Sequence, residues 1–479
     1  MSDKVTFTAA AIRLLGDRGF TDDPDIVTPW LTDWRGRYTG KAIGMASPAN
    51  TGDVSLLVKL CAQHNVAIVP QGGNSGMSGG ATPDESGDAV ILSLRRMNAI
   101  REMRPDQKMV TCDAGVILQD LHDEAAKWRL RFPLTLGGKG SATIGGLIST
   151  NAGGTQVLRH GTMRAQVTGL EVVLPSGEVL NTLIPLKKDN RGFDLKQMFI
   201  GSEGTMGIVT AATLHLADAI TDRAVLWAGL NRVGRADELL KLSQKLRGDS
   251  LEGFEVLPHR CLSAVLNYLP DARSPLEGEY PWYALIELVA KQDQQDQLQN
   301  WAEEILQDGL DQGLIEDGTI AANETQAEQF WQLRDSISPA ERAIGPAMQH
   351  DISVPVDDMA DFISHAVPAV ENRFSGTQAI AFGHLGDGNV HFHVLAPTGA
   401  IPGKWEEEDG KKISYFVHDL VTHWKGSISA EHGIGQMKRD ELGRLGDPVS
   451  LSLLRTVKSA LDPANLFNPG KLIPPQSDR

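Results

Sequence analysis

The sequence predicts an α+β protein whose two domains differ in architecture. A chain of 479 residues is too long for one hydrophobic core, so two or three domains are expected. In the first half, glycine-rich loops alternate with short helices and strands. From residue 224 the pattern becomes strand, helix, strand, strand, helix, strand, which is typical of a ferredoxin-like antiparallel sheet covered by helices. We assign residues 1–223 and 224–435 to the two domains, and residues 436–479 to a turn-rich C-terminal segment that packs on the first domain.

The elements of the first domain follow from local patterns. Residues 51–64 carry apolar side chains at helical spacing, and Thr51 or Asp53 provides the N-cap. A later Pro-Ser-Gly turn separates two apolar runs and so predicts a hairpin. The strands are predicted at residues 67–69 and 89–94, and the hairpin at residues 172–180.

The elements of the second domain follow from apolar runs and amphipathic stretches of suitable length. Strands are predicted at residues 224–230, 251–257, 282–290 and 314–322, and helices at residues 236–248 and 294–309.

Composition and charge restrict the class of protein. The chain is 41% hydrophobic and has a net charge of -16, which argues against nucleic acid and anionic membranes as partners. Arg13 interrupts the apolar run near the N-terminus, so that run is not a signal peptide, and no apolar stretch reaches membrane-spanning length. The three cysteines are scattered, which indicates buried free thiols. We expect a cytoplasmic enzyme.

Glycine is concentrated in four segments of the first domain: residues 70–80, 136–146, 151–154 and 201–207. Loops of this kind let backbone N–H groups form concave anion sites. A nicotinamide-binding Rossmann fold is not indicated, because the chain has no G-x-G-x-x-G motif. Four such loops favour a dinucleotide held by several loops over purely structural turns.

Histidine is concentrated in "HLGDGNVHFH", residues 384–393. His391 and His393 are two residues apart on an alternating strand and therefore share a face, and the Gly-Asp-Gly turn can bring His384 back toward it. Three histidines together favour a metal or catalytic site over satisfied core residues. A further ligand is available at Glu431 or His432, although that pair by itself would be an ordinary surface pair. A metallohydrolase would share these ligands but would not need the glycine loops.

Five stretches together resemble one family: "PQGGNSGMSGG", "PLTLGGKGSATIGGLISTNAGG", "RHGTMRAQVTGLEVVLPSGEVL", "IGSEGTMGIVT" and "DPANLFNPGKLIP". They are similar to the FAD-binding domain of the vanillyl-alcohol-oxidase-like flavoproteins, in the branch with D-lactate and D-2-hydroxyglutarate dehydrogenases. The resemblance implies a two-part FAD-binding domain, with the pyrophosphate on the first glycine loop and the isoalloxazine against the second and third. It also implies non-covalent FAD, because Asn74 stands where tethering members carry histidine. The cofactor-binding residues would be Pro70, Gly72, Gly73, Asn74, Ser75, Gly76, Gly79, Pro133, Gly137, Gly138, Ser141, Gly145, Asn151, Gly153, Gly154, Glu203, Gly207, Ile208 and Asn468.

The same resemblance implies a metal centre and a base. The metal, usually zinc in the family, would be bound by His384, His391 and Glu431, and His432 would be the base. Arg334 matches the family's carboxylate-binding arginine, whose planar fork suits a substrate acid.

Three further substrate positions differ from the D-2-hydroxyglutarate pattern. Ser338 stands in place of a threonine, Gln349 in place of a lysine and His393 in place of an asparagine. Loss of the lysine removes a charge that could hold a distal carboxylate, which His393 could restore if protonated. The resemblance therefore supports the 2-hydroxy-acid class more firmly than it supports glutarate.

The sequence thus predicts FAD- and metal-dependent oxidation of a D-2-hydroxy acid to the 2-oxo acid. D-2-hydroxyglutarate is the first choice of substrate, and D-lactate or another D-2-hydroxy acid is the alternative. Electron-transfer flavoprotein or a quinone-linked acceptor is expected to take the electrons. A flavoprotein that joins an alkyl chain in ether-lipid synthesis and an idle FAD-binding protein remain open. A homodimer is compatible with the sequence, which fixes no oligomeric state.

Overall fold

The structure is a computed structural model that describes residues 3–186, 188–291 and 294–476. Internal contacts divide the chain into two units. The first unit comprises Met1–Gly154, His160–Ala219 and Glu431–Arg479, and the second comprises Thr155–Arg159 and Ile220–Ala430. The second unit therefore starts a few residues before the predicted position 224 and ends before position 435. As a result, Glu431 and His432 belong to the first unit.

Sixteen α-helices are assigned over the described residues. They are α1 (Asp3–Leu15), α2 (Pro24–Val27), α3 (Thr51–His64), α4 (Leu118–Ala126), α5 (Ile144–Thr150), α6 (Val157–His160), α7 (Met163–Gln166), α8 (Gly234–Arg247), α9 (His259–Tyr268), α10 (Leu298–Asp311), α11 (Glu324–Asp335), α12 (Ile337–Ile344), α13 (Met359–Arg373), α14 (Lys411–His423), α15 (Arg439–Leu445) and α16 (Pro448–Leu461).

Eighteen strands are assigned over the same residues. They are β1 (Phe20–Thr21), β2 (Met45–Ala46), β3 (Ala67–Gln71), β4 (Ala89–Ser93), β5 (Ile100–Arg104), β6 (Met109–Asp113), β7 (Leu130–Arg131), β8 (Val167–Val173), β9 (Val179–Asn181), β10 (Ile208–His215), β11 (Ala217–Asp218), β12 (Asp222–Leu230), β13 (Leu251–Pro258), β14 (Trp282–Ala290), β15 (Asp317–Ile320), β16 (Ala347–Ser353), β17 (Gln378–His384) and β18 (Asn389–Leu395).

The first unit is built on two main sheets. A four-stranded sheet has the order β1-β2-β4-β3, with β4 parallel to both β2 and β3. A five-stranded antiparallel sheet has the order β5-β6-β10-β8-β9 and contains the predicted hairpin, β8 with β9. Helix α3 has the predicted buried stripe, and the side chain of Asn50, not Thr51 or Asp53, is its N-cap. One apolar core joins both sheets with this helix.

The C-terminal segment is an integral part of the first unit. Leu466 accepts a hydrogen bond from the Ile68 amide at 2.7 Å, so the segment pairs with β3 next to the first glycine loop. Lys458 on α16 is buried, and its Nζ donates to the carbonyls of Thr205 and Phe467, both at 2.8 Å, and to Asp462 Oδ2 at 2.5 Å. These bonds fix the end of the chain to two other elements of the same unit.

The second unit is built on a seven-stranded antiparallel sheet in the order β15-β12-β14-β13-β17-β18-β16. Its first four strands have the ferredoxin-like order, with α8 and α10 as the two crossover helices. Helix α9 is inserted between β13 and β14, and β16, β17 and β18 extend the sheet from its β13 edge. The predicted fold class is confirmed.

The two faces of this sheet are covered differently. Alternate residues point to opposite faces, and one face packs on an apolar core with α8, α10, α13 and α14. The other face carries α9, α11 and α12 over a smaller apolar cluster, and beside this cluster it presents polar and charged residues. The candidate site of this unit lies on the second face.

The prediction of buried free thiols is confirmed, since Cys61, Cys112 and Cys261 are all buried and unpaired. Burial raises the pKa of each thiol, to about 12 for Cys112. Over the residues that the structure describes, no helix is both long and apolar enough to cross a membrane.

We predict that Lys458→Met lowers the free energy of unfolding by about 3–5 kcal/mol, because it leaves Asp462 as a buried charge without its cation. Chemical denaturation would measure the change. Arg455→Met on the same helix is the control, since its guanidinium bonds the carbonyls of Pro474 and Pro475 near the surface, and it should cost only about 1 kcal/mol. Equal losses for the two variants would contradict the structural role given to Lys458.

Candidate functional site

A cavity in the first unit lies between the glycine loops. Its empty space is about 950 Å³, which includes open solvent at its mouth. Residues from the first loop, from 142–150 and from 203–209 line it, and His432 completes the wall. The wall is mostly backbone and small side chains, so it suits a ligand that is recognised through main-chain N–H groups.

Close approach of two loops explains the glycines at the start of this wall. A Cβ on Gly73 would lie 1.7 Å from the Ser141 carbonyl oxygen, and a Cβ on Gly72 would lie 2.2 Å from Thr143 Oγ1. A side chain on Gly73 would require the second loop to move, and one on Gly72 would require the Thr143 side chain to move. In contrast, a Cβ on Gly76 would meet nothing within 4 Å.

The first loop has the geometry of an anion site. Asn74 has φ +51°, in the left-handed region, and its side-chain amide donates to the Thr32 carbonyl at 2.8 Å. The backbone amides of residues 73–76 form no hydrogen bond with any other described residue. Successive unpaired amides next to a left-handed residue form a nest that binds phosphate oxygens. These residues therefore fit the pyrophosphate of a dinucleotide.

The structure brings about half of the predicted cofactor residues to this wall. Those that line it are Pro70, Gly72, Gly73, Asn74, Ser75, Gly76, Gly145, Glu203, Gly207 and Ile208. Those that do not are Gly79, Pro133, Gly137, Gly138, Ser141, Asn151, Gly153, Gly154 and Asn468. Some of the second group have structural contacts instead. Asn151 is the C-cap of α5, and Asn468 Nδ2 donates to the carbonyls of Gly80 and Glu203.

Several wall residues were missed by the sequence reasoning. They are Gln71, Ser78, Gly80, Ala81, Leu94, Ala142, Thr143, Gly146, Leu147, Ser149, Thr150, Gly204 and Val209. Most of them are direct neighbours of predicted residues in the same glycine segments. Small size and adjacency were the available signal, but which neighbour faces the cavity depends on the loop conformation.

The loop that carries His432 is fixed within the first unit by two side chains. Glu203 accepts from the Ile434 and Gly435 amides, each at 2.7 Å, with one carboxylate oxygen for each. Ser78 Oγ lies 3.1 and 3.0 Å from the carbonyl oxygens of His432 and Gly433. Burial raises the pKa of Glu203, although the two amide bonds oppose the shift. The loop therefore holds His432 at the cavity wall, and Glu203 serves this loop as well as lining the cavity.

In the second unit, one buried carboxylate bonds two of the predicted site residues. Glu255 on β13 accepts from His384 Nδ1 with Oε1, and from Arg334 Nε at 2.7 Å with Oε2. Burial by itself would raise the pKa of Glu255, but the Arg334 and His384 charges hold it well below its ordinary value. With Nδ1 donating to Glu255, Nε2 is the nitrogen of His384 that can bind a metal.

The other two histidines lie on the same face of the sheet. The register pairs His391 with Phe382, and His393 with Ile380 and Gln349. His393 Nδ1 donates to Glu341, whose side chain is fully buried. The register places His391 and His393 on one face, as predicted. It places His384 on the same face.

The surroundings of His391 disfavour its charged form. Asp351 Oδ1 lies 4.0 Å from its Nδ1. The pKa of His391 lies well below its ordinary value, because burial and the positive charges of Arg334 and His384 disfavour the imidazolium. Metal ligation requires the neutral form, so this environment suits a ligand.

The Phe382 ring lies beside Arg334, His391 and His393. Its ring centre is 5.0 Å from the Arg334 guanidinium carbon and 5.1 Å from the ring centres of both His391 and His393. The two terminal nitrogens of Arg334 form no hydrogen bond with another described residue. Ser338 lies on α12, the helix that follows the one carrying Arg334. The Arg334 fork is therefore oriented by Glu255 and still available to an acid.

The spacing of His384 and His391 fits a shared metal ion. A metal bound at about 2.1 Å to one nitrogen of each ring places the ring centres roughly 4.5–5.3 Å apart, for right-angled to tetrahedral bond angles. The observed separation is 5.4 Å, with the rings nearly perpendicular. The two rings are thus close to the spacing at which both could bind one metal ion.

Two family models match the chain. Residues 42–183 match the FAD binding domain, and residues 228–472 match the C-terminal domain of FAD linked oxidases. The first match contains the first three of the predicted glycine segments. Because both matched models belong to FAD-dependent proteins, the protein is FAD-dependent.

Among curated proteins, the chain is 36% identical over 474 residues to a probable mitochondrial D-2-hydroxyglutarate dehydrogenase of Oryza sativa, covering 99% of this chain and 82% of that protein. It is 35% identical to mitochondrial D-2-hydroxyglutarate dehydrogenase of Bos taurus, covering 97% and 83%. Among solved structures, p-cresol methylhydroxylase has a TM-score of 0.75 over 98% of this chain and 96% of that one, at 16% identity, which shows a shared fold. The chain belongs to the vanillyl-alcohol-oxidase-like family of FAD-linked oxidases.

The expectation of a cytoplasmic protein is contradicted by these relatives. The rice and bovine proteins are both named as mitochondrial. The expectation depended on the absence of a recognisable signal peptide, which gives no information about a mitochondrial location.

We predict that Gly73→Ala and Gly76→Ala separate folding from cofactor binding. Gly73→Ala should lower the melting temperature of the FAD-free protein, because its Cβ would overlap the Ser141 carbonyl. Gly76→Ala should leave that temperature unchanged, because its Cβ would meet nothing within 4 Å, but should weaken FAD binding, because the loop is the proposed pyrophosphate site. Thermal unfolding and FAD titration of the stripped proteins would measure both. Unchanged FAD affinity in Gly76→Ala would place the pyrophosphate elsewhere.

Proposed function

We propose that the protein is an FAD- and divalent-metal-dependent dehydrogenase that oxidises a D-2-hydroxy acid to the 2-oxo acid. The observation that carries the proposal is the pairing of one buried carboxylate, Glu255, with both an imidazole and a guanidinium. A metal on His384 and a fork at Arg334 call for a ligand with oxygens on adjacent carbons, one of them a carboxylate. A 2-hydroxy acid has this arrangement. The names of the rice and bovine relatives support the same substrate class.

The proposed metal ligands are His384, His391 and Glu431, with zinc as the first choice of metal. Two histidines and a carboxylate leave coordination positions for a substrate. The ring spacing of the two histidines and the lowered pKa of His391 support their part of this set. Glu431 follows from the family resemblance alone.

The cofactor, the metal, Arg334 and His432 have separate roles in the proposed reaction. FAD, when bound, supplies the acceptor for a hydride from C2, and the metal supplies a Lewis acid for the substrate oxygens. Arg334 binds the C1 carboxylate through its terminal nitrogens. His432 takes the proton of the C2 hydroxyl, so loss of one proton and one hydride leaves the 2-oxo acid. Its place in the cavity wall supports this role. We propose that FAD is non-covalent, because Asn74 cannot form a histidyl link.

The proposed substrate differs among D-2-hydroxy acids only in the side chain on C2. D-2-hydroxyglutarate is the first choice, and D-lactate or another D-2-hydroxy acid is the alternative. Ser338, Gln349 and His393 are the proposed contacts with this side chain. His393 is held by a buried glutamate, which makes it a rigid polar group. Electron-transfer flavoprotein or a quinone is the proposed electron acceptor.

The purified protein should be yellow, should release FAD on denaturation, and should lose its flavin absorbance anaerobically on addition of D-2-hydroxyglutarate. The L-enantiomer should leave the flavin oxidised, because Arg334 and the metal fix two substituents of C2 and so present only one hydrogen. D-Lactate in the same assay distinguishes the two substrate choices. Absence of bleaching by 2-hydroxy acids of either hand would reject the proposed function.

Removing a metal ligand and removing the base should have different effects. His391→Ala should lose metal and activity but keep FAD, because the cofactor cavity is formed by the first unit. His432→Ala should keep metal and FAD but reduce the flavin about 10²–10⁴-fold more slowly, as expected for loss of a general base. Metal analysis and stopped-flow flavin reduction would measure these effects. Full metal in His391→Ala, or metal loss in His432→Ala, would show that the roles are assigned wrongly.

A further inference from the structure

Glu255 is neither a proposed metal ligand nor a proposed substrate contact, yet it lies buried between residues of both kinds. It is 1% exposed, and it lies directly opposite His384 in the register of β13 and β17. A buried carboxylate is costly unless both oxygens are paired. Here one oxygen is paired with a proposed metal ligand and the other with the proposed substrate arginine. The residue thus joins two groups that belong to different tasks.

The two bonds fix the direction of both partners. Because a carboxylate can only accept, Nδ1 of His384 must be the protonated nitrogen, which leaves Nε2 as the donor to a metal. Glu255 engages Arg334 through Nε, and the two terminal nitrogens of the guanidinium form no hydrogen bond with another described residue. Phe382 supports the guanidinium from one face at 5.0 Å.

We propose that Glu255 is a positioning residue that couples the metal to substrate-carboxylate binding, an inference that rests on the proposed function. One rigid carboxylate sets the separation between the metal-binding nitrogen of His384 and the fork of Arg334. Glu255 touches neither substrate nor metal, and it acts only through these two side chains.

Another buried glutamate on the same sheet face provides a matched control. Glu287 on β14 is 8% exposed and is paired with Arg223 at 3.1 Å and with Trp331 Nε1 at 2.6 Å. It contacts none of the proposed site residues through these bonds. Loss of its charge should therefore affect stability in the same way as loss of the Glu255 charge, without the effects on binding.

The test compares Glu255→Gln, Glu287→Gln and the unmodified FAD-loaded protein. Glutamine has one acceptor oxygen and an NH₂ group, so at position 255 it can satisfy only one of the two donors. Zinc affinity, measured by chelator competition, should fall about 10–100-fold in Glu255→Gln. The KM for D-2-hydroxyglutarate should also rise and remain raised at saturating zinc, because Arg334 has lost its orientation. Glu287→Gln should change neither quantity.

Each outcome decides a different part of the proposal. Wild-type zinc affinity and KM in Glu255→Gln would overturn it, and so would a KM that returns to the wild-type value at saturating zinc. If Glu255→Gln does not fold, Glu255→Asp replaces it. This variant keeps the charge but is too short to reach both partners, and the same two losses are expected. An unmodified protein that binds zinc but oxidises no 2-hydroxy acid would reject the proposed function, whereas the zinc comparison would still test Glu255.

A double variant tests the coupling directly. If Glu255 acts through Arg334, the rises in KM for Glu255→Gln and Arg334→Lys should combine to less than their product in the double variant. A full product would mean that the two residues act independently, and would overturn the coupling.

Discussion

The register of β13, β17, β18 and β16 is the constraint on which the second unit's site depends. Opposed residues of an antiparallel sheet share a face, so the pairing fixes which side chains meet. A slip of one residue would move them all to the opposite face, into the core under α13 and α14. Gly388, with φ +78°, ends the turn between β17 and β18, and a Cβ there would lie 2.2 Å from the Val354 carbonyl oxygen. The turn therefore sets the register, and the register sets the site.

The polar face is stable only because its charges are paired locally. Glu255, Glu287 and Glu341 are all buried, and each contacts a cationic or imidazole side chain of the same unit. Replacing one partner would leave an uncompensated charge, which is more costly than the pair is worth. The smaller apolar cluster of α9, α11 and α12 supplies the surrounding packing. The positions of the polar side chains on this face thus depend more on their hydrogen bonds than on packing against the apolar cluster.

Local patterns were sufficient to predict much of the fold. The helix at 51–64, the hairpin at 172–180 and the ferredoxin-like strand order all follow from periodicity and turn residues, and the structure contains them. Helix α9 was not predicted. The strand that carries His391 and His393 was predicted, but the extension of the sheet by β16, β17 and β18 was not, because strand pairing depends on contacts between distant segments.

The candidate site was predictable only in part, for the same physical reason. The three histidines lie within ten residues of one another, so the sequence alone indicated that they form one cluster. Glu255 is 129 residues from His384 and has no distinctive neighbours, so only the folded sheet reveals it. Glu203 was expected at the cofactor and lines the cavity, but its bonds to the Ile434 and Gly435 amides could not be read from a glycine-rich segment.

The three buried thiols give the protein an internal reporter of local opening. Cys61 and Cys112 lie in the core of the first unit and Cys261 in a cluster of the second. Thiolates are the reactive form, and burial with a raised pKa suppresses that form in the native state. A thiol reagent can therefore label a cysteine only when its surroundings open. Because the cysteines are divided between the units, the labelling rate of each one reports the opening of its own unit without any engineered probe.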